Sequence, residues 1–482
     1  MTVMTPLTLV ALLGLVYSLL YLADTLLRTH PSTATRYLLT LRRLGLEVSL
    51  LTVRWSTTRY NSSLHWVAGL RPGLTKIWFS LGGLVSCLIM VPSCLLLLLS
   101  LYQHLQPSPL PSQPLLQPVL PGVNLPPSHL LHYILALLMA SVYHEAGHAV
   151  AAFNCNLRMS SAGVMVVAMF PAAFVELPTA ELESRTAWQQ LRVFSGGVWH
   201  NIVLAATASL FSLSLHLLLC PLYTTGLGLT VTSLSPASSL SGPSGLMEGQ
   251  VMRAVQGQKV TTRRDLSLVL ASILAKPQPG LCVSDEVATD LQVSASHSCC
   301  PPERTDSLCF TSAGSHDKCL PVRALLARTG GVWCDETCGA QCWTPSLEIN
   351  STKLIIVTRR NERDFLYIGN PGLLYTELTV SEFVPVFDWL PLSAPDIIVK
   401  FLSYLSAFSA GLAVLNVVPS YLLDGQHITR VLVEILLQHK SDVTRLTVTA
   451  ALTVLGTLLI AANIILGLAG LASGSVITNP MM

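Results

Sequence analysis

Apolar residues run along this chain in long blocks separated by polar stretches, and the blocks have the length of membrane-crossing helices. A span needs about 20 mostly apolar residues. Residues 4–22, 77–102, 130–153, 187–219, 396–420 and 445–471 fit that pattern and predict helices. The first block lacks a small-residue cleavage site, so it reads as an anchor and not as a removed signal. Residues 77–102 contain Pro92 and fit either one tilted span or a tight hairpin. Residues 161–178 are apolar but hold Gly, Val and Pro, the pattern of a re-entrant hairpin. Residues 106–127, rich in Pro, Ser and Gln, read as a linker.

Between residues 221 and 390 the chain turns polar, which predicts an extramembrane domain. It starts Gly226-Leu227-Gly228-Leu229, and strand-like alternation follows over 230–234. Gly249-Gln250-Val251 and Gly257-Gln258-Lys259-Val260 come next, then a short amphipathic helix over 262–274 and a strand over 353–359. This order resembles a PDZ domain, in which a Gly-Leu-Gly-Leu loop holds a chain terminus and strand addition binds a peptide. An unrelated small β domain is the alternative. The fold class expected is a polytopic α-helical membrane protein with a luminal PDZ-like α/β domain carrying a cysteine-rich insertion. The expected segments are N-terminal helices and a basic loop (1–105), a Pro-rich linker (106–128) and a membrane core (129–220). The PDZ-like domain (221–390), with its insertion at 276–350, and a second membrane core (391–482) follow.

Composition narrows the class. Hydrophobic residues make up 51% and charged residues 11%, against about 25% charged in soluble domains. That excludes a soluble globular enzyme and a disordered chain. With 28 Lys and Arg against 26 Asp and Glu, no basic field exists to hold nucleic acid.

Four of the 12 cysteines (Cys87, Cys94, Cys155 and Cys220) sit in apolar runs as small hydrophobes. The other eight crowd into residues 282–342, a pattern of disulfides in an oxidising lumen. A zinc knuckle of Cys334, Cys338 and Cys342 is the alternative. Asn350-Ser351-Thr352 and Asn61-Ser62-Ser63 are glycosylation sequons. The loop 27–76 is rich in Arg, which favours the cytosol, whereas Asn61 favours the lumen, so its side stays open.

His144-Glu145-Ala146-Gly147-His148 is an HExxH motif. On a helix, residues i and i+4 share a face, so both imidazoles can reach one Zn²⁺ while Glu145 takes a proton from water. Between Leu130 and Val150 the only formally charged side chain is Glu145. A carboxylate at the centre of a spanning helix costs about 2.5–3.5 kcal/mol on insertion scales, so it marks a function or a pairing. Two buried histidines bonded to backbone are the bland alternative. A zinc hydrolase needs a third protein ligand and an open position. Asp424 interrupts an apolar segment beyond Pro419 and suits that anionic role. His427 is a rival ligand, read as an interfacial histidine.

HExxH in a membrane helix, then Asn416-Val-Val-Pro419-Ser-Tyr-Leu-Leu-Asp424-Gly425, resembles the site-2 protease family of intramembrane metalloproteases. The residues Pro121-Gly-Val-Asn-Leu-Pro126, Phe170-Pro-Ala-Ala-Phe-Val175 and Gly197-Val-Trp-His-Asn201 bring it closer to the eukaryotic branch. The resemblance, over roughly 120–480, implies His144, His148 and Asp424 as ligands of one zinc ion and Glu145 as the catalytic residue. It implies that Asn416 contacts substrate or steadies the oxyanion and that Asn201 supports the site; a helix-packing hydrogen bond is the alternative for Asn201. His200 reads as structural.

The resemblance further implies hydrolysis of a peptide bond within membrane-spanning substrates. These would be precursors of sterol regulatory element-binding proteins and stress-response transcription factors, cut first in the lumen by site-1 protease. It implies a multi-pass protein of the Golgi and endoplasmic reticulum, serving cholesterol metabolism and the unfolded protein response. A prenyl-protein endopeptidase is one rival, although such enzymes usually offer a glutamate as third ligand. An inactive zinc-binding chaperone or a transporter is another, although no site residue is lost and no internal repeat is visible.

Overall fold

The computed structural model describes residues 6–105, 126–167, 170–235, 240, 245–293, 299–300, 307–312, 315–334, 338–347 and 351–472. Most of the expected linker and Asn350 lie outside them. The chain divides into two compact units. One holds the residues up to Leu213 and those from Ile398 onward; the other holds Ser214–Ile397.

The first unit opens with α1 (Pro6–Thr29), α2 (Ala34–Leu44), β1 (Leu46–Ser49), β2 (Thr52–Thr57) and α3 (Asn61–Gly69). Long helix α4 (Pro72–Leu105) follows, then α5 (Leu130–Asn154), β3 (Ser161–Val167), β4 (Phe170–Glu176), α6 (Thr179–Glu183), α7 (Ala187–Phe194) and α8 (Gly196–Leu218). At 1.5 Å per residue α4 runs about 50 Å without turning back, so the hairpin alternative for 77–102 falls. The basic loop is not a loop. Its strands join the 161–178 hairpin in one antiparallel sheet of order β1-β2-β3-β4. The apolar run 187–219 is not one helix either, because it breaks at Ser195. The Ser195 hydroxyl donates back to the Leu191 carbonyl, and the Gly196-Gly197 pair restarts the chain as α8.

The second unit contains β5 (Tyr223–Thr224), β6 (Leu229–Leu234), β7 (Val251–Val255), β8 (Gln258–Lys259) and α9 (Arg263–Ala275). Next come β9 (Leu281–Val283), α10 (Asp285–Asp290), β10 (Ser307–Ser312), β11 (Ser315–Pro321), α11 (Val322–Thr329) and β12 (Gln341–Pro345). β13 (Lys353–Arg359), β14 (Phe365–Gly369), α12 (Pro371–Glu377), β15 (Leu378–Ser381) and β16 (Val384–Pro385) complete it. α9 starts at a capping box in which Asp265 accepts from the Thr261 and Thr262 N–H groups. Those bonds hold its carboxyl below the usual carboxylate range.

The main sheet runs β14-β13-β7-β6-β15, and a second sheet, β11-β10-β12-β9, is built from the stretch between α9 and β13. Trp343, Phe310 and Leu281 fill the core of the second sheet. Disulfides Cys282–Cys338, Cys299–Cys309, Cys300–Cys319 and Cys334–Cys342 staple it, so the three knuckle cysteines are oxidised. Strand β6, which follows the Gly-Leu-Gly-Leu loop, pairs with β7 on one side and β15 on the other. A peptide adding to β6 itself therefore meets an edge already taken by the chain.

The first unit closes with α13 (Ala394–Val417), α14 (Asp424–Leu436) and α15 (Asp442–Ala472). Among the described residues, α4, α5, α8, α13 and α15 are long and apolar enough to cross a bilayer. Whatever their depth, these helices bring the motif residues of α5 and α14 together.

Candidate metal centre

α5 presents His144 and His148 from one face, with their Nε2 atoms 3.2 Å apart and both side chains buried. The partner segment begins where α13 stops at Val417. Pro419 cannot donate to a continuing helix, and Leu422 takes a positive φ of 68°. That left-handed conformation costs a non-glycine residue about 1–3 kcal/mol, so surrounding contacts must hold the turn. They come from α15, whose Thr457 hydroxyl meets the Ser420 hydroxyl at 3.2 Å and accepts from the Tyr421 N–H at 3.0 Å. α14 then starts on Asp424. Gly425 is needed there, because any Cβ would overlap the Val418 carbonyl as the chain doubles back.

The turn delivers Asp424 Oδ2 to 3.1 Å from His144 Nε2 and 3.3 Å from His148 Nε2. A tetrahedral ion with bonds near 2.0–2.1 Å separates its ligand atoms by about 3.3 Å. The three observed edges match that figure. Oδ2 is buried, and among the described residues no donor other than these two imidazoles reaches it. Gly197, at the start of α8, faces the same point. A Cβ there would overlap both Nε2 atoms, so the missing side chain keeps the space open. The donor set and the cavity fit one metal ion.

Groups behind the ligands set their tautomers. His148 Nδ1 lies 2.8 Å from the Val193 carbonyl, which can only accept, so Nδ1 carries the proton and Nε2 keeps its lone pair. The Asn201 amide lies 3.0 Å from His144 Nδ1, and its Oδ1 is buried without a partner. The two ends of an amide exchange on a half-turn. With Oδ1 toward the ring, Nδ1–H donates to Asn201 and the His144 Nε2 lone pair is freed as well. Asn201→Ala is therefore expected to weaken metal binding about 10–100-fold. Competition with a zinc chelator measures this, and Asn201→Asp, which keeps an acceptor, should restore most of the loss.

α7 braces both halves of the cluster. It supplies the Val193 carbonyl to His148, Phe194 stacks on His427 at 4.6 Å, and Gln190 meets Arg430 of α14 at 3.3 Å. His427 therefore packs on an aromatic ring and does not join the cluster. His200 is held between Tyr143 and Phe79, with Nδ1 3.2 Å from the Tyr143 carbonyl. Asn416, in the last turn of α13, makes no side-chain hydrogen bond among the described residues. The Asn61 side-chain amide donates to the Met159 carbonyl at 3.0 Å, so its nitrogen is engaged within the fold.

Glu145 stands next to the ligands on α5 and faces β4. That strand is the sheet's outer edge, with Pro171, Ala173 and Val175 turned outward, and proline is tolerated at such an edge. The Ala173 N–H donates to the Ser141 hydroxyl at 2.7 Å, and the Val175 N–H is directed at the Glu145 carboxyl. Ser141 and Glu145, one helical turn apart, thus receive alternate amides of an edge that pairs with no further strand among the described residues.

The model of peptidase family M50 matches residues 132–461, a stretch that contains His144, Glu145, His148 and Asp424. The chain belongs to peptidase family M50. A membrane-bound transcription factor site-2 protease homolog from Arabidopsis thaliana is 32% identical over 209 residues. That alignment takes in 42% of this chain and 39% of the relative's length. In this member of family M50, sequence reasoning missed Ser141, Val193 and the open space at Gly197. Small residues at helix crossings were the available signal for the last. Gly147 and Gly196 follow the same rule, since a Cβ on either would overlap the other's carbonyl and push α5 from α8.

Proposed function

We propose that this chain is an intramembrane zinc metalloendopeptidase that hydrolyses a peptide bond inside membrane-spanning segments. The observation that carries the reading is the His144–His148–Asp424 triangle with Glu145 beside it. A zinc ion at that point supplies Lewis-acid polarisation of a carbonyl and a more acidic water. Glu145 is the group placed to accept a proton and return it to the leaving amine. Its carboxyl meets the end of the β4 edge, where an unwound substrate can lie.

A spanning helix hides its carbonyls in its own hydrogen bonds, so substrate has to unwind before attack. The outward Ala173 and Val175 amides of β4, held by Ser141 and Glu145 in the substrate-free chain, become replacement partners by strand addition when they exchange those acceptors for substrate carbonyls. Ala173→Pro removes one of them without touching the β3–β4 ladder. Cleavage is expected to fall at least about tenfold, the loss of one buried hydrogen bond and its partner's desolvation, with zinc content unchanged. Full activity in that variant would refute pairing at this edge.

The substrates proposed are precursors of membrane-bound transcription factors of the sterol-regulatory and stress-response kind, after a first luminal cut. The proposed setting is the Golgi and endoplasmic reticulum, with residues 221–390 as a luminal filter against untrimmed precursors. Asn416 is proposed to contact substrate. The test of the core reading is cleavage of a spanning model peptide by the purified chain in vesicles. Product masses should place the scissile bond inside the apolar stretch; cuts only in flanking loops would refute it.

A further inference from the structure

Beside Glu145 lies a cavity of about 280 Å³, several times the roughly 30 Å³ share of one water. Sheet pleating explains its floor. Trp55, Val164 and Ala173 form one cross-strand row and Thr57, Ala162 and Val175 the next, all on one face of the sheet. The two alanines leave the room that larger residues would fill. Tyr60 of α3 and Val142 of α5 close the sides, and Glu145 is the one charged residue in the wall. This apolar space borders both Glu145 and, through Ala173 and Val175, strand β4.

We propose that this cavity is a side-chain subsite, which takes one branched or aromatic apolar residue of the unwound substrate next to the scissile bond. The inference rests on the protease reading, since the peptide reaches the cavity only by lying along β4. A peptide that takes the Ala173 and Val175 amides over from Ser141 and Glu145 has its register fixed by them, so a single substrate position faces the opening. The N-terminal strand β2 supplies Trp55 and Thr57, which gives the sheet extension from residues 46–57 a role in specificity. Small and charged side chains leave the space unfilled or bring an unpaired charge against apolar walls.

The test uses the full chain in vesicles with a spanning peptide scanned by photo-activatable leucine, adducts being mapped by mass spectrometry. At one substrate position only, adducts should form on Trp55, Tyr60 or Val142. Leucine at that position should exceed glycine in kcat/KM by at least about tenfold, the discrimination that a single buried methylene already gives. Ala162→Leu fills the cavity and should abolish the adduct and reverse the preference toward glycine. Trp55→Ala should shift it toward larger aromatic residues. Zinc content reports that each variant is folded. Cleavage without an adduct at these residues, or an unchanged preference in zinc-loaded Ala162→Leu, overturns the subsite and leaves the protease reading standing. An adduct at one position in a chain that cleaves no peptide supports the subsite and defeats the protease reading.

Discussion

Glu145→Gln should purify with as much bound zinc as wild type and cleave a spanning peptide about 10²–10⁴-fold more slowly, the usual contribution of a positioned acid–base group. Glutamine fills the same volume and can still accept from the Val175 N–H, so the β4 contact survives. What it loses is the capacity to take a proton at the moment of attack. Glu145 does not belong to the ligand triangle, and metal retention follows from that. The variant also separates the functional classes, since a chaperone or transporter has no need of a general base. A Glu145→Gln protein that cleaves at the wild-type rate would remove Glu145 from the reaction.

Gly197→Ala is expected to abolish zinc binding while leaving the helices intact. Gly197 is the second residue of α8, and it has no positive φ that an alanine would strain, so the helix itself should form as before. The added methyl instead occupies the space between His144 Nε2 and His148 Nε2. An ion at bonding distance from both nitrogens would overlap it. Metal analysis beside circular dichroism reads the two effects separately. Wild-type zinc content in this variant would mean that the ion sits elsewhere.

Much of the centre could be read from the chain because its signals are local or chemically loud. Helical periodicity puts His144 and His148 on one face whatever surrounds them, and a carboxylate such as Asp424 stands out in an apolar run. The strand at 230–234 follows from alternation and the one at 353–359 from a short run of Leu, Ile and Val, and β6 and β13 lie there. Other parts depend on partners far along the chain. β1 and β2 are short and sit among arginines, and β2 pairs with β3 about a hundred residues later. The closing of β6 by β15 joins Thr230 to Ser381, a pairing that no local pattern encodes. The Val193 carbonyl is main chain and carries no residue signature, so its hold on His148 is invisible until α7 is placed. The break at Ser195 does carry a local signal, Ser195-Gly196-Gly197, but the apolar residues on both sides let the run read as one helix.

X-ray absorption at the zinc edge on the purified, zinc-loaded chain tests most directly whether two distant motifs grip one ion. The account predicts one zinc per chain, four-coordinate, with two imidazole nitrogens and oxygen donors at about 2.0–2.2 Å and no sulfur. A thiolate shell near 2.3 Å, or a spectrum unchanged by Asp424→Ala, would contradict it.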